Sequence, residues 1–455
     1  MSISSFEQRR FWRRQRQSPL RQVQAAIASA TSPAPSPTAS PPFDVSEPGP
    51  PARAATSAAI GARRNSGSVD ESRRDLTLES VIDEYWLNDA LKSLKYKGQA
   101  PGPDGITYRD LGKIETCEML RGIRQDVLHR CYLPSEPRVV RIPKGNGRPR
   151  ELSLCNIRDR ILARAVFELI SPVIDAQLLP SCLGFRRGKG IHHLLAQVCR
   201  AVELTGHTVM LEADVANAFP SLPIDGILSA YRQHIHDEGL LWLIETITRG
   251  HLGAAQPRGI AQGCPLSPLS FNIFMHYLYD LPLHAAGRHE SPLRQFRYAD
   301  NLVAVCPSVS DGTQRLAEAR RLLSPVGLNL KPNHTLIDLR RQGAGIDLLG
   351  FRLQLVNNRL QLGAGKKAHA GLRESLAAAC LSSAPPDTAR MAVEGWLGAI
   401  GPAVESVCEN EVVRQAQDFA ARYGYRAVGN AADLRDRLQG AYQKWVAFRE
   451  RVLRG

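Results

Sequence analysis

Two carboxylates stand out because each interrupts an apolar run. Asp214 lies near the end of TVMLEADV at 208–215, and Asp300 sits within QFRYADNLVAVC at 295–306. A carboxylate among apolar neighbours is costly unless it is paired or binds a metal. Two of them on neighbouring strands could hold Mg²⁺, which favours carboxylate oxygens together with substrate phosphates. Two-metal phosphoryl transfer needs such an arrangement. Plainer roles also fit. Asp300-Asn301 makes a good hairpin turn, and Asp214 could cap the helix that follows it.

The elements around these acids alternate. Apolar residues at helical spacing predict a helix over 81–97, with Val81, Ile82, Tyr85, Trp86, Leu87, Leu91 and Leu94 on its buried side. Pro101-Gly102-Pro103-Asp104-Gly105 is a turn. Strands at 138–143 and 152–154 flank Lys144-Gly145-Asn146-Gly147, a hairpin with a basic, Gly-bearing tip. A long helix is expected over 157–176, a strand over 208–215, and helices over 225–236 and 239–250. The loop 259–268 leads into a helix reaching residue 283. A strand over 295–306, a helix over 311–324 and strands near 328–330 and 348–355 come next. The last hundred residues are mostly helical in pattern. Such an order implies an α+β core followed by a helical domain.

Taken in sequence, eight blocks resemble the reverse transcriptases, specifically the bacterial group II intron type. They are GPDGITYRDL at 102–111, RIPKGNGRPRELSLCNIRDR at 141–160, LGFRRGKGIHH at 183–193, EADVANAFPSLP at 212–223, RGIAQGCPLSPLSFNIF at 258–274, FRYADNLVAV at 296–305, GLNLKPNHT at 327–335 and LLGFRL at 348–353. The resemblance covers about residues 80–355. It implies a right-hand polymerase, with fingers and palm (an antiparallel sheet plus helices) over 76–355 and a C-terminal helical thumb over 356–455. The implied activity is RNA-directed DNA polymerisation, adding dNTPs to a DNA or RNA primer on an RNA template.

Roles are implied by the resemblance residue by residue. Asp214 and Asp300 would bind two Mg²⁺ ions, with Mn²⁺ as a substitute, and the Val215 carbonyl would be a further ligand. Lys144 and Arg150 match the basic finger residues that clamp the triphosphate, where a guanidinium can bind phosphate in bidentate fashion. Phe219 occupies the place of the aromatic gate that leaves no room for a 2′-hydroxyl. Gln262 and Gly263 match the loop beside the nascent base pair. Arg186 and Arg187 match the template-contacting block, and Gly350 and Phe351 the primer grip.

Two positions depart from the pattern. Tyr298-Ala299-Asp300-Asn301 stands where the family has YADD, so Asn301 offers a carbonyl oxygen but no charge. His334 replaces the family's lysine before Thr335, the proposed general acid toward pyrophosphate; histidine can donate a proton with an unperturbed pKa near 6.5. Lys331 is the weaker substitute for that lysine. Two alternatives to the polymerase remain: a nucleotidyltransferase with relaxed template dependence, or a nucleic-acid-binding protein whose chemistry has weakened through Asn301 and His334.

Composition agrees with a nucleic-acid partner. The formal net charge is +14 over 455 residues, from 58 Lys+Arg against 44 Asp+Glu, and most of the excess lies beyond residue 75. A basic balance on the folded part suits a polyanion. At 43% hydrophobic residues the chain is not wholly disordered, and no apolar run approaches the ~18 residues that span a bilayer. Nine dispersed cysteines without a CxxC pair point to free thiols in a reducing compartment, and with the resemblance to a bacterial cytoplasm. The adjacent His192 and His193 lack partner ligands at metal-binding spacing.

Residues 1–75 read as a disordered tail, with an Arg-rich start and eight prolines over 33–51. It has the composition of a transit peptide, a basic arm or a plain solvated tail. RMAVEGWLGAI at 390–400 looks like the thumb helix. With no maturase or endonuclease extension read after it, the expectation is a free-standing enzyme in a CRISPR-associated or phage-defence setting.

Overall fold

This computed structural model describes residues 75–95, 100–142, 150–286, 294–382, 384–405 and 409–454. The expected tail over 1–75 lies outside them except for Asp75.

The fingers begin with α1 (Leu78–Val81) and α2 (Glu84–Lys95). These are two helices where the apolar spacing suggests one. The break falls at Ile82–Asp83, and the Asp83 carboxylate accepts from the Trp86 amide at 3.0 Å, a side-chain cap that starts the second helix. Tyr85, expected on the buried face, is 63% exposed. After α3 (Lys113–Leu128) comes the hairpin of β1 (Arg138–Ile142) and β2 (Arg150–Leu154), in antiparallel register from Arg138↔Leu154 to Ile142↔Arg150. Next is α4 (Ile157–Gln177), whose Ile157, Ile161, Leu162, Val166 and Ile170 are buried in the core that also takes Leu87 and Leu91.

The palm runs through α5 (Ile191–Thr205), β3 (Val209–Ala216), α6 (Ala218–Ser221), α7 (Ile224–Tyr231), α8 (Glu238–Arg249) and α9 (Ser267–Met275). The last continues through a π-helical turn, His276–Asp280, into α10 (Leu281–Ala286). Then come β4 (Gln295–Tyr298), β5 (Asn301–Cys306), α11 (Val309–Leu323), β6 (Asn329–Leu330) and β7 (Thr335–Asp338). The sheet order is β4-β5-β3-β6, with β7 also paired to β3, and every pairing is antiparallel. Side chains alternate along a strand. Val209, Leu211 and Ala213 pack with Ala304 and Leu316, while Met210 packs in the α5 core. Glu212 and Asp214 therefore share the face of Met210, beyond the end of its apolar cover.

A second sheet joins β8 (Ile346–Leu348), β9 (Phe351–Val356) and β10 (Arg359–Ala364). The helices after it are α12 (Lys366–Ala379), α13 (Pro385–Ala399), α14 (Glu409–Arg422) and α15 (Ala431–Arg454). Leu372, Leu376, Val393, Leu397, Val412 and Leu438 form their own core. Helix α15 returns to the palm, where Trp445 joins the α5 core. His192 and His193 meet aromatic rings there, His192 against Trp445 and Phe351, and His193 against Phe448. Among the described residues no helix is long and apolar enough to cross a membrane.

Candidate active site

Asp214 on β3 stands directly across from Asn301 on β5. Tyr298 on β4 pairs with the same Asn301. The stretch read as one strand over 295–306 is therefore a hairpin with Ala299 and Asp300 as its two-residue turn. The hairpin turn that the sequence offers at Asp300-Asn301 thus lies one residue earlier than expected. Ala299 has φ 56°, in the left-handed region. Gly184 packs against it so closely that a Cβ there would lie 2.1 Å from the Ala299 nitrogen. The Val215 amide donates to the Asp300 carbonyl at 2.9 Å. Asp214, Val215, Asp300 and Asn301 thus meet at one corner of the sheet.

A lysine occupies that corner too. Lys331 donates from its backbone amide to the Asp214 carbonyl at 2.8 Å and from Nζ to Asp214 Oδ2 at 2.7 Å. Its side chain is 46% exposed against 19% for Asp214. His334, favoured over Lys331 on sequence, sits in the loop before β7. It is half-buried, and its Nδ1 is buried without a hydrogen-bond partner. Glu212, two residues before Asp214 on the same face, has its pKa pushed up to about 7. Burial is the main cause, with the Asp214 and Asp300 carboxylates adding to it and Lys367 and Lys331 opposing.

Among the described residues no cluster of three or more His, Cys, Asp or Glu side chains could cage an ion. A divalent cation here would have Asp214 and Asp300 as its charged protein ligands and would need substrate oxygens to complete its shell, the way Mg²⁺ binds beside phosphates.

Beside the corner, Phe219 lies on the short helix α6. Its ring stacks on Phe271, with centroids 5.4 Å apart and planes 6° from parallel, and meets the edge of Phe185 at 5.9 Å. The ring is thus fixed from below by a fully buried partner. The Gln262 carbonyl accepts from the Ser153 amide of β2 at 2.7 Å. Gly263 has φ 121°, and a Cβ on it would lie 2.4 Å from the Ser153 carbonyl oxygen. Only glycine fits where this loop joins the fingers hairpin.

Other expected residues are placed less simply. Lys144 lies outside the described residues, as does the side chain of Arg150; the Arg150 backbone opens β2 opposite Ile142. Arg186, expected on the template backbone, is 9% exposed and turns inward. It grips the Asp175 carboxylate through Nε and Nη2 and donates from Nη1 to the Leu179 and Cys182 carbonyls. This arginine fastens its segment to α4. Arg187, 79% exposed and paired with Glu168, is the outward one. Phe351 is buried in the α5 core. The turn before it, half-buried, has Leu349 and Gly350 at φ 48° and 99°.

Comparison with known proteins agrees with this geometry. Residues 142–353 match the family model described as reverse transcriptase (RNA-dependent DNA polymerase). The chain is 26% identical over 313 residues to Protein YkfC of Escherichia coli (strain K12), which covers 61% of this chain and 82% of that protein. It is 27% identical over 144 residues to a Saccharomyces cerevisiae protein named for intron 1 of COX1/OXI3, covering 30% of this chain and 17% of the yeast protein.

Proposed function

We propose, from the premise that the chain carries a reverse transcriptase domain of the group II intron-like type, that it is an RNA-directed DNA polymerase. It would extend a primer 3′ end with dNTPs on an RNA template. One observation carries this reading. The Val215–Asp300 hydrogen bond and the Asp214↔Asn301 pairing gather an acid of β3 and the acid of the β4–β5 turn at one corner.

Two Mg²⁺ ions bound there would activate the primer hydroxyl and neutralise the leaving pyrophosphate. Asp214 and Asp300 would hold them, with oxygens from the Val215 carbonyl and the Asn301 amide. Phe219 would lie under the sugar of the incoming nucleotide, its ring fixed on Phe271, and exclude a 2′-hydroxyl by bulk. Lys144 and Arg150 would clamp the triphosphate from the fingers. The Gln262-Gly263 loop would border the base pair. Arg187 would contact the template backbone without reading its sequence. Lys331, whose ammonium sits on Asp214, or His334 would supply a proton toward the leaving phosphates.

Asn301 supports a second reading, a nucleic-acid-binding protein with weakened chemistry, because it leaves one charge fewer at the corner. The test is extension of a labelled primer with dNTPs and Mg²⁺ on an RNA template, beside reactions without template and with Asp214→Ala. Template-dependent extension that Asp214→Ala abolishes is expected. Extension without template would mean a template-relaxed transferase. Tight primer–template binding with no extension under Mg²⁺ or Mn²⁺ would favour the second reading.

A further inference from the structure

Arg297 lies three residues before Asp300 on β4, yet its side chain is 1% exposed. All five N–H donors of its guanidinium have partners. Nε donates to Asp280 Oδ1 and Oδ2 at 2.9 and 3.1 Å, and Nη2 to Asp280 Oδ2 at 2.7 Å. Nη2 also reaches Cys182 Sγ at 3.0 Å. Nη1 donates to Asn272 Oδ1 at 2.9 Å and to the Ala299 carbonyl at 3.3 Å. Burial works against the charge, but Asp280 outweighs it, so the guanidinium holds its proton more firmly than usual.

Asp280 is itself buried and closes the π-helical turn His276–Asp280. A π turn takes one more residue than an α turn, so it re-aims the helix beyond it, and such turns recur at functional sites.

A buried ion pair is weak evidence for stability, since apolar residues of similar volume often serve as well. This pair is distinguished by its neighbours. On one side is the Asp300 turn. Arg297 bonds the carbonyl of Ala299, the residue with φ 56°. Its own backbone bonds Ser181 and Leu183 at 2.9 and 2.8 Å, and Asn272 holds the Gly184 carbonyl at 2.8 Å, pressing Gly184 against Ala299. On the other side is the sugar gate. The guanidinium carbon lies 5.6 Å from the centroid of Phe271, within cation–π range, and Phe271 is the ring beneath Phe219.

We propose that Arg297, clamped by Asp280, is the positioning residue that sets the Asp300 turn and the floor of the Phe219 ring together. Metal chemistry and sugar selection then depend on one buried guanidinium. This inference rests on the polymerase reading. Its own signature is that both properties change at once while nucleic-acid binding does not.

The test uses two variants of the full chain. Arg297→Lys keeps a charge but has three donors and no planar fork. Arg297→Met/Asp280→Leu removes both buried charges, which leaves no unpaired ion to unfold the protein. The readouts are thermal unfolding, primer–template affinity, kcat, the Mg²⁺ concentration for half-maximal rate, and the dNTP-to-rNTP preference. For folded variants we expect kcat to fall by about tenfold or more, with a higher Mg²⁺ requirement, a reduced sugar preference and unchanged primer–template affinity. A folded double variant with parental rate, Mg²⁺ requirement and sugar preference would overturn the inference, as would loss of rate with sugar preference intact. If the parent chain extends no primer, the polymerase reading fails first. Mn²⁺ binding measured by electron paramagnetic resonance then still decides the positioning claim: about several-fold weaker binding by Arg297→Lys than by the parent supports it, and equal binding overturns it.

Discussion

Strand β3 in the palm has neighbours on both edges, β5 on one side and β6 and β7 on the other. The fingers hairpin of β1 and β2 is a two-stranded ladder, with Val139 exposed on it. Asp214 and Asp300 are therefore held by backbone pairing on several sides, and the buried Arg297 bonds the Ala299 carbonyl beside Asp300. An isolated two-stranded hairpin is marginal by itself, and this one meets the palm through the Ser153–Gln262 bond. The palm groups are held by the protein's own contacts. If a two-stranded ladder carries the triphosphate clamp, as proposed, ordering it would add to the cost of nucleotide binding. Palm lesions should strike the chemical step and its selectivity, and hairpin lesions should strike nucleotide affinity.

Four outcomes would sharpen or break that contrast. Phe219→Ala should raise rNTP incorporation by about 10- to 100-fold relative to dNTPs, read from competing single-nucleotide additions; unchanged selectivity would remove the gate from the palm groups. Arg150→Ala should raise the KM for dNTP by about tenfold with kcat nearly kept. A fall in kcat at constant KM would erase the distinction between hairpin and palm. Lys331→Met frees Asp214 from a partly exposed pair worth about 1 kcal/mol or less. The Mg²⁺ half-saturation should drop by about two- to fivefold, and any loss of rate at saturating metal would measure what Lys331 does for the leaving group.

The smallest effect concerns Glu212 in the metal-free protein. Its pKa in the folded chain is about 7, above the ordinary 4.5. Between those values the folded state binds more protons than the unfolded one, so stability falls as pH rises from about 4.5 to 7. Urea unfolding of Glu212→Gln across that range should show a shallower decline, and an unaltered slope would refute the crowding of carboxylates at this corner.

Much of the palm is legible from sequence because its signals are local. Asp214 ends an apolar run, Phe219 lies at a fixed spacing after it, and Gly263 sits in a turn whose backbone only glycine suits. A turn near Asp300-Asn301 is legible, but its placement at Ala299–Asp300 is not, since tertiary contacts with Gly184 and Arg297 hold an alanine at φ 56°. Strands β7, β8 and β10 are short or polar and gain their pairing from distant partners. Arg186 looks like a phosphate ligand until Asp175 and the carbonyls around it are seen to take its donors. The Lys331–Asp214 and Arg297–Asp280 pairs depend on contacts between residues 117 and 17 positions apart. Such contacts leave no periodic trace. The β10 strand, within the range expected for the helical thumb, pairs with β9, so the C-terminal helices start at Lys366.

The most direct test of the account is single-turnover incorporation of one dNTP opposite an RNA template base, by the parent chain and by Asp214→Ala. Addition of the complementary dNTP by the parent is expected, with a rate lower by about three orders of magnitude in the variant and primer–template affinity kept. Equal rates in the two proteins, or no addition by a folded, primer-bound parent, would contradict it.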